Sequence, residues 1–314
     1  MPPHSASYHG AELGAPVNIY ISSGSFQSGD LGAIVSICSK HTLKLELSSG
    51  FTCNPDFLNQ LNEITSNASQ YLVHNYFPPP PQPFVLNLAS ERRELLDASL
   101  RLCRQAIDLC SVLHSPFYSV HAGFALNLEP GDLGNPLLQR KRAQNSINRN
   151  TALDIFAASV MKLSKYAQER GVELLVENNV TTAEIIDVNG ESPLLLSRPD
   201  EIRCFFDNCC SRNVGLLLDV AHAKVSAKAF KLQPELFFEL LGPHIKALHL
   251  SDNDGLRDSN RPFGRDAWFA PFLPAYAARP MVIEVYGLEV DNILAQKRLL
   301  EELIVREYPP LFCV

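Results

Sequence analysis

The sequence predicts an α/β protein, a (β/α)8 TIM barrel in a single domain spanning residues 16–314 after a polar tail, residues 1–15. Two observations predict it. Short β-prone runs alternate along the chain with amphipathic helical patterns, eight of each, as parallel strands with crossover helices require. Six of the runs also close on a His, Asp or Glu, and in this fold the C-terminal ends of the strands form the working rim.

The elements follow in order. Val17–Ser22 is the first strand and Leu31–Lys40 the first helix. Thr42–Leu47 alternates as a second strand, and Asn54 is placed to cap a helix over Pro55–Thr65. Gln70–Tyr76 is strand three, and the prolines from Pro78 to Pro81 force a loop after it. Ser90–His114 is a long amphipathic helix and Pro116–His121 strand four. The long segment Ala122–Arg142 reads as a functional loop. Asn145–Arg170 is a helix closed by Gly171, followed by strand five, Val172–Glu177. Helix Pro199–Cys210, strand Gly215–Asp219, helix Pro234–Leu241 and strand Ile245–Leu250 come next. The loop Ser251–Phe263, helix Asp266–Tyr276, strand Met281–Val285 and helix Val290–Glu307 complete the chain.

Composition narrows the function. The 314 residues carry a net charge of −7, which gives no general attraction to nucleic acid or to an anionic membrane. A local basic patch is still compatible with that balance, and Arg140-Lys141-Arg142 is one short cluster that reads as a solvated face. No apolar run reaches the ~18–20 residues of a membrane span. The N-terminal MPPHSASYHGAELGAP lacks an apolar signal core, so a cytoplasmic protein is expected. The eight cysteines include no C-x-x-C pair. Cys38, Cys103, Cys110 and Cys204 fall in apolar helical patterns and read as reduced core residues, and adjacent Cys209 and Cys210 suit neither a zinc site nor an easy bridge.

The candidate chemistry lies at the six strand ends. LVHNYF presents His74, FYSVHAG His121, VELLVENN Glu177, VGLLLDVAHA Asp219 with His222 three residues on, IKALHLSD His249, and MVIEVYG Glu284. Each has a plainer reading alone: a strand-end acid caps the next helix, a lone His sits in a core, and His222 starts a helix. Six at one rim point instead to a divalent ion held by Glu177, Asp219, His249 and Glu284. Mixed carboxylate and imidazole ligands accept Mn, Zn, Co or Mg without choosing among them. His74 and His121 could join Glu177 around a second ion, as in two-metal sites. His114 and His244 flank strands at the opposite end, and His4, His9 and His41 have no partner in pattern. Trp268, Phe263 and Phe269 are expected to cover the barrel mouth as core. Asn178 and Asn179 are placed to orient Glu177 or touch substrate hydroxyls. Arg257, Arg261 and Arg265 offer cations for a phosphate or carboxylate, or simply a charged loop.

At these residues the chain resembles the xylose isomerase-like barrels, which include sugar and sugar-phosphate isomerases and epimerases and the endonuclease IV-type apurinic endonucleases. The resemblance runs from strand three onward and is carried by SVHAG, LLVENN, LLLDVAHA, LHLSDNDG and VIEVYG. In the epimerase branch it implies one divalent metal on Glu177, Asp219, His249 and Glu284. Glu177 and Glu284 would also act as the acid/base pair, forming a metal-stabilised enediolate from a sugar, sugar phosphate or polyol. His222 would bind a substrate oxygen, with Asn179 and Arg257 as further substrate contacts. In the endonuclease branch three zinc ions would act on abasic DNA, using His74, His121 and a third site on His222 and Asp258. There FVLNLAS fits, but Asp258-Ser259-Asn260 lacks the final histidine and the proline run departs from the pattern. The resemblance therefore favours the isomerase or epimerase. Related dehydratase chemistry, or a catalytically inactive metal- or sugar-binding barrel, remains as an alternative. The expected partner is a small sugar or sugar phosphate, with no membrane, and self-association through exposed barrel helices is left open.

Overall fold

The computed structural model describes residues 18–66, 70–132 and 147–307. The expected tail, the Arg140–Arg142 cluster and the expected helix start at Asn145 lie outside the described residues. Eight parallel strands close into a barrel in chain order. They are β1 Ile19–Ser22, β2 Lys44–Leu47, β3 Tyr71–His74, β4 Phe117–His121, β5 Glu173–Glu177, β6 Val214–Asp219, β7 Ile245–Leu250 and β8 Met281–Ile283. Outside them run α1 Leu31–His41, α2 Pro55–Ser66, α3 Arg93–Leu113, α4 Arg149–Gln168, α5 Pro199–Asn208, α6 Val220–Phe230, α7 Leu236–Leu241 and α8 Val290–Ile304.

Local chemistry sets the ends. The Asn54 side chain accepts from Phe57 N at 2.8 Å, the expected cap of α2. Asn148 caps α4 by accepting from Asn150 N and Thr151 N. Gly171 ends that helix at a φ of 68°. Two expectations change. The helix expected over Asp266–Tyr276 is a 3-10 helix, Ala270–Tyr276, because Pro271 and Pro274 remove the donors an α-helix needs. Helix α6, missing from the expected order of elements although Asp219 and His222 also read as a cap and a helix start, begins directly on the end of β6, with Asp219 Oδ1 accepting from His222 N at 2.8 Å.

Strand alternation divides the apolar residues between two cores. Tyr20, Leu72, Phe117, Leu175, Leu217, Ala247 and Val282 form a buried cluster inside the barrel. A larger cluster, including Ile21, Val73, Leu174, Leu216 and Leu248, lies between the strands and helices. Trp268, Phe263 and Phe269 belong to that outer cluster, where Trp268 meets Phe238 of α7, so they pack on the flank and do not cover the mouth. Cys38, Cys103 and Cys110 are buried free thiols that burial pushes up, to about 12 for the first two. Cys204 is exposed on α5, contrary to its expected place in the core.

Two asparagines tie the rim together. Asn178 Oδ1 accepts from Asp219 N at 2.8 Å and its Nδ2 donates to Asp219 O at 3.1 Å, joining the ends of β5 and β6. Asn179 Nδ2 donates to the carbonyls of Ala122, Gly123 and Leu195, at 2.9, 3.0 and 2.8 Å. One buried amide thus holds the loops after β4 and β5. Leaving buried carbonyls without a donor costs about 1–3 kcal/mol. Asn179→Ala should lower stability by at least that amount in urea denaturation, and a wild-type midpoint would contradict this role.

Candidate active site

Five of the six rim groups sit two residues after an interior apolar residue. His74 follows Leu72, Glu177 follows Leu175, Asp219 follows Leu217, His249 follows Ala247 and Glu284 follows Val282. Period-2 alternation therefore aims all five into the barrel axis at its C-terminal end. Register brings them side by side, with His121 opposite Glu177 and Asp219 opposite His249.

The result is one buried polar centre. Glu177, Asp219, His249 and Glu284 each offer a ligand atom, all within 4.8 Å of one another. His249 Nδ1 lies 2.9 Å from Glu284 Oε2, 3.6 Å from Glu177 Oε1 and 3.9 Å from Asp219 Oδ2. His74, His121 and Glu177 form a second such group. Glu177 Oε2 is 3.3 Å from His74 Nε2 and 3.5 Å from His121 Nδ1. Asp219 serves both expected roles: Oδ1 caps α6, and Oδ2 faces the centre.

Hydrogen bonds outside the centre fix which imidazole nitrogen points in. His74 Nδ1 bonds Ser119 Oγ at 3.0 Å, leaving Nε2 toward Glu177. His222 Nδ1 donates to the Asn178 carbonyl at 2.9 Å, leaving Nε2 3.2 Å from Asp258 and 3.8 Å from Asp219. His249 Nε2 bonds Glu46 Oε2 at 3.0 Å, leaving Nδ1 toward the three carboxylates.

Electrostatics follow from burial and neighbours. Burial lowers His74 and His121 below the usual histidine range, outweighing the Glu177 carboxylate beside them. Burial works against the His249 and His222 cations too, but carboxylates outweigh it and raise both: Glu46, Glu284 and Glu177 for His249, Asp219, Asp258 and Glu177 for His222. Burial raises Asp219 to about 7, with His222 opposing it. Glu177, despite burial, is held low by His121, His74 and His249.

Several atoms stay unmatched. Glu177 Oε1 and Oε2, Asp219 Oδ2, His249 Nδ1 and Glu46 Oε1 are buried with no hydrogen-bond partner. Buried polar atoms are nearly always partnered, so converging orphans of the right donor types fit a cation. The centre opens into a cavity of about 560 Å³ reached by His121, Asn179, His222, Arg257, Asp258 and Glu284.

His74, His121, Glu177, Asp219, His222, His249, Asp258, Glu284, Asn179 and Arg257 thus meet around one centre or its cavity, Asn179 in a way that differs from expectation, whereas Arg261 and Arg265 do not line it. The Asn179 amide nitrogen is committed to the backbone. Asn260, in the place of a third-site histidine, donates to the Glu284 carbonyl at 3.1 Å. Arg265 pairs with Glu302, and Arg261 exchanges backbone bonds with Asp252. His244 stacks on Phe206 and pairs with Asp207, and His114 occupies the C-terminal cap of α3.

Two site residues were not foreseen. Tyr286 brings its hydroxyl 3.4 Å from Glu284 Oε1, and that carboxylate raises the phenol and keeps it protonated. Glu46, on β2, is fully buried against His249. The signal for Glu46 was present: like the others it is a carboxylate near the end of a β-prone run.

The family model for the xylose isomerase-like TIM barrel matches residues 54–295, and the chain belongs to that family. Among solved structures it resembles a D-tagatose 3-epimerase-like protein, with a TM-score of 0.66 and 18% identity over 91% of this chain and 97% of that one. A Thermus thermophilus protein soaked with zinc chloride gives 0.60 and 20%, over 91% and 98%. The 3-keto-D-glucoside 4-epimerase of E. coli gives 0.61 and 11%, over 92% and 99%. A search of curated proteins finds no significant match.

A carboxylate behind a ligating imidazole sets its tautomer and raises its basicity, and losing one typically costs about 10–100-fold in metal affinity. Glu46→Ala should weaken divalent-ion binding by about that factor, with Glu46→Gln in between because it keeps an acceptor. Chelator competition measures it, and wild-type affinity in both variants would contradict the assignment.

Proposed function

We propose that the protein is a divalent-metal-dependent isomerase or epimerase of a sugar or polyol. The observation that carries this reading is the set of buried polar atoms without hydrogen-bond partners on Glu177, Asp219 and His249 converging with Glu284 beneath an open cavity. Glu177, Asp219, Glu284 and Nδ1 of His249 would hold the ion. An ion there supplies Lewis-acid polarisation of a carbonyl and its neighbouring hydroxyl.

The chain's own groups then divide the proton work. Glu284 borders the cavity and would take the proton from the carbon beside the carbonyl. Glu177 lies across the centre and is held ionised, so it can accept or return a proton from the other side. His222, anchored through Nδ1, offers Nε2 to a substrate oxygen. The Tyr286 hydroxyl steadies Glu284 at the cavity edge. Arg257 stands at the lip as a contact for an outer hydroxyl.

A two-ion phosphodiesterase is the second reading, favoured by the His74–His121–Glu177 group and by the His222–Asp258 contact. The commitment of Asn260 to the Glu284 carbonyl and the net charge of −7 weigh against it.

Turnover of a ketose panel in D2O by manganese-loaded protein separates the two. Deuterium should enter one substrate carbon, and Glu284→Gln should lose at least ~100-fold in rate, the usual worth of a positioned base. Cleavage of abasic DNA without deuterium incorporation would overturn the isomerase.

A further inference from the structure

The cavity is larger and more uneven than a free sugar alone requires. A hexose fills on the order of 200 Å³, about seven water volumes of ~30 Å³ each, against about 560 Å³ here. Its two sides differ in character. Arg257, Asp258, His222, Glu284 and Tyr286 make the side toward β6–β8 polar. The opposite side, from the loops after β3, β4 and β5, is mainly apolar, presenting Phe84, Leu86, Phe124, Leu128 and Leu194 with Asn75 and Thr182 beside them.

That apolar wall is built, not left over. Val85, Leu126, Leu128, Ile185 and Leu194 form a small core of their own, separate from both barrel cores, with Phe124 packed on it. An amide clamp joins the first two loops: Asn87 Nδ2 donates to the Phe124 carbonyl at 2.8 Å, and Phe124 N donates to Asn87 Oδ1 at 3.1 Å. Gly123 permits this approach, since a Cβ there would lie 2.5 Å from Ala89 Cβ. Phe124 also bridges Leu194 across to the loop after β5. The Tyr76 hydroxyl accepts from Phe84 N at 2.8 Å and fixes the outer edge. Phe84, Leu86 and Phe124 remain only partly buried, so apolar surface is held ready beside the polar centre.

We propose that the substrate is a keto sugar bearing an uncharged apolar substituent, as an alkyl or aryl glycoside with a ketone on its ring does, and that this wall holds the substituent while the carbonyl and its neighbouring C–H face the rim carboxylates, unreactive glycosides that lack the ketone serving as binding probes of the wall. The inference rests on the sugar-isomerase reading of the same site. A phosphorylated sugar suits the cavity less well. Phosphate sites gather several donors and cations, and Arg257 is the one Lys or Arg among the described cavity-lining residues.

The test is calorimetric binding of methyl and phenyl β-D-glucopyranoside to the full-length, manganese-loaded protein. Each fully buried methylene is worth about fourfold in affinity, so the phenyl glucoside should bind at least ~10-fold more tightly than the methyl. Phe84→Ser and Phe124→Ser should each shrink that ratio. Equal affinity for the pair, no measurable binding of the phenyl glucoside, or a ratio unchanged in both variants would overturn the subsite. Deuterium exchange reads the parent function separately. A protein that epimerises free ketoses without a phenyl preference loses only the subsite, and one that prefers the phenyl glucoside but exchanges no deuterium keeps the subsite and loses the isomerase.

Discussion

The structure depends on how it manages negative charge at the end of the barrel. Glu46, Glu177, Asp219 and Glu284 are buried together, and an ionised carboxylate out of water costs several kcal/mol unless it is paired. The barrel floor beneath them is apolar and offers no relief. Positive charge must come from the rim itself. Protons raised onto His249 and His222 supply it, and on the proposed reading a divalent ion takes over the share that faces Glu177, Asp219 and Glu284. Buried polar atoms without partners are rare and call for an explanation, and on the proposed reading they trade stability for a binding centre.

Around this centre lies a layer whose work is orientation. Glu46, Ser119 and the Asn178 carbonyl each engage the outer nitrogen of one imidazole, so three rings turn their other nitrogen inward. Asn178 locks the ends of β5 and β6 to each other, and Asp219 spends one oxygen on starting α6. Strand register does the coarse placement and this layer the fine placement. The cavity walls are fixed in the same way, by amide and backbone ties between loops.

Much of this was legible in the sequence. The eight strands and the inward aim of His74, Glu177, Asp219, His249 and Glu284 follow from period-2 alternation with a polar residue at the last inward position. Glu46 escaped because TLKLEL alternates charge and aliphatic residues, which reads as a half-solvated strand until barrel closure is known to cover both faces. Helix α6 escaped because its N-cap was read mainly as a ligand. The flank position of Trp268, Phe263 and Phe269 depends on packing against α7, and no local pattern encodes it. The apolar wall is built from three loops distant in sequence, brought together by Asn87, Gly123 and Phe124, so no single stretch announces it.

The most direct test of the account is a manganese titration of chelator-treated protein, read by elemental analysis and by calorimetry in two buffers of different ionisation enthalpy. The account predicts one ion per chain, bound with release of protons, because His249 and Asp219 are raised and surrender theirs to the ion. Binding should therefore weaken as the pH falls from 8 to 6, and Asp219→Asn should lower the metal content. No uptake of any divalent ion, or uptake that Asp219→Asn leaves unchanged, would contradict it.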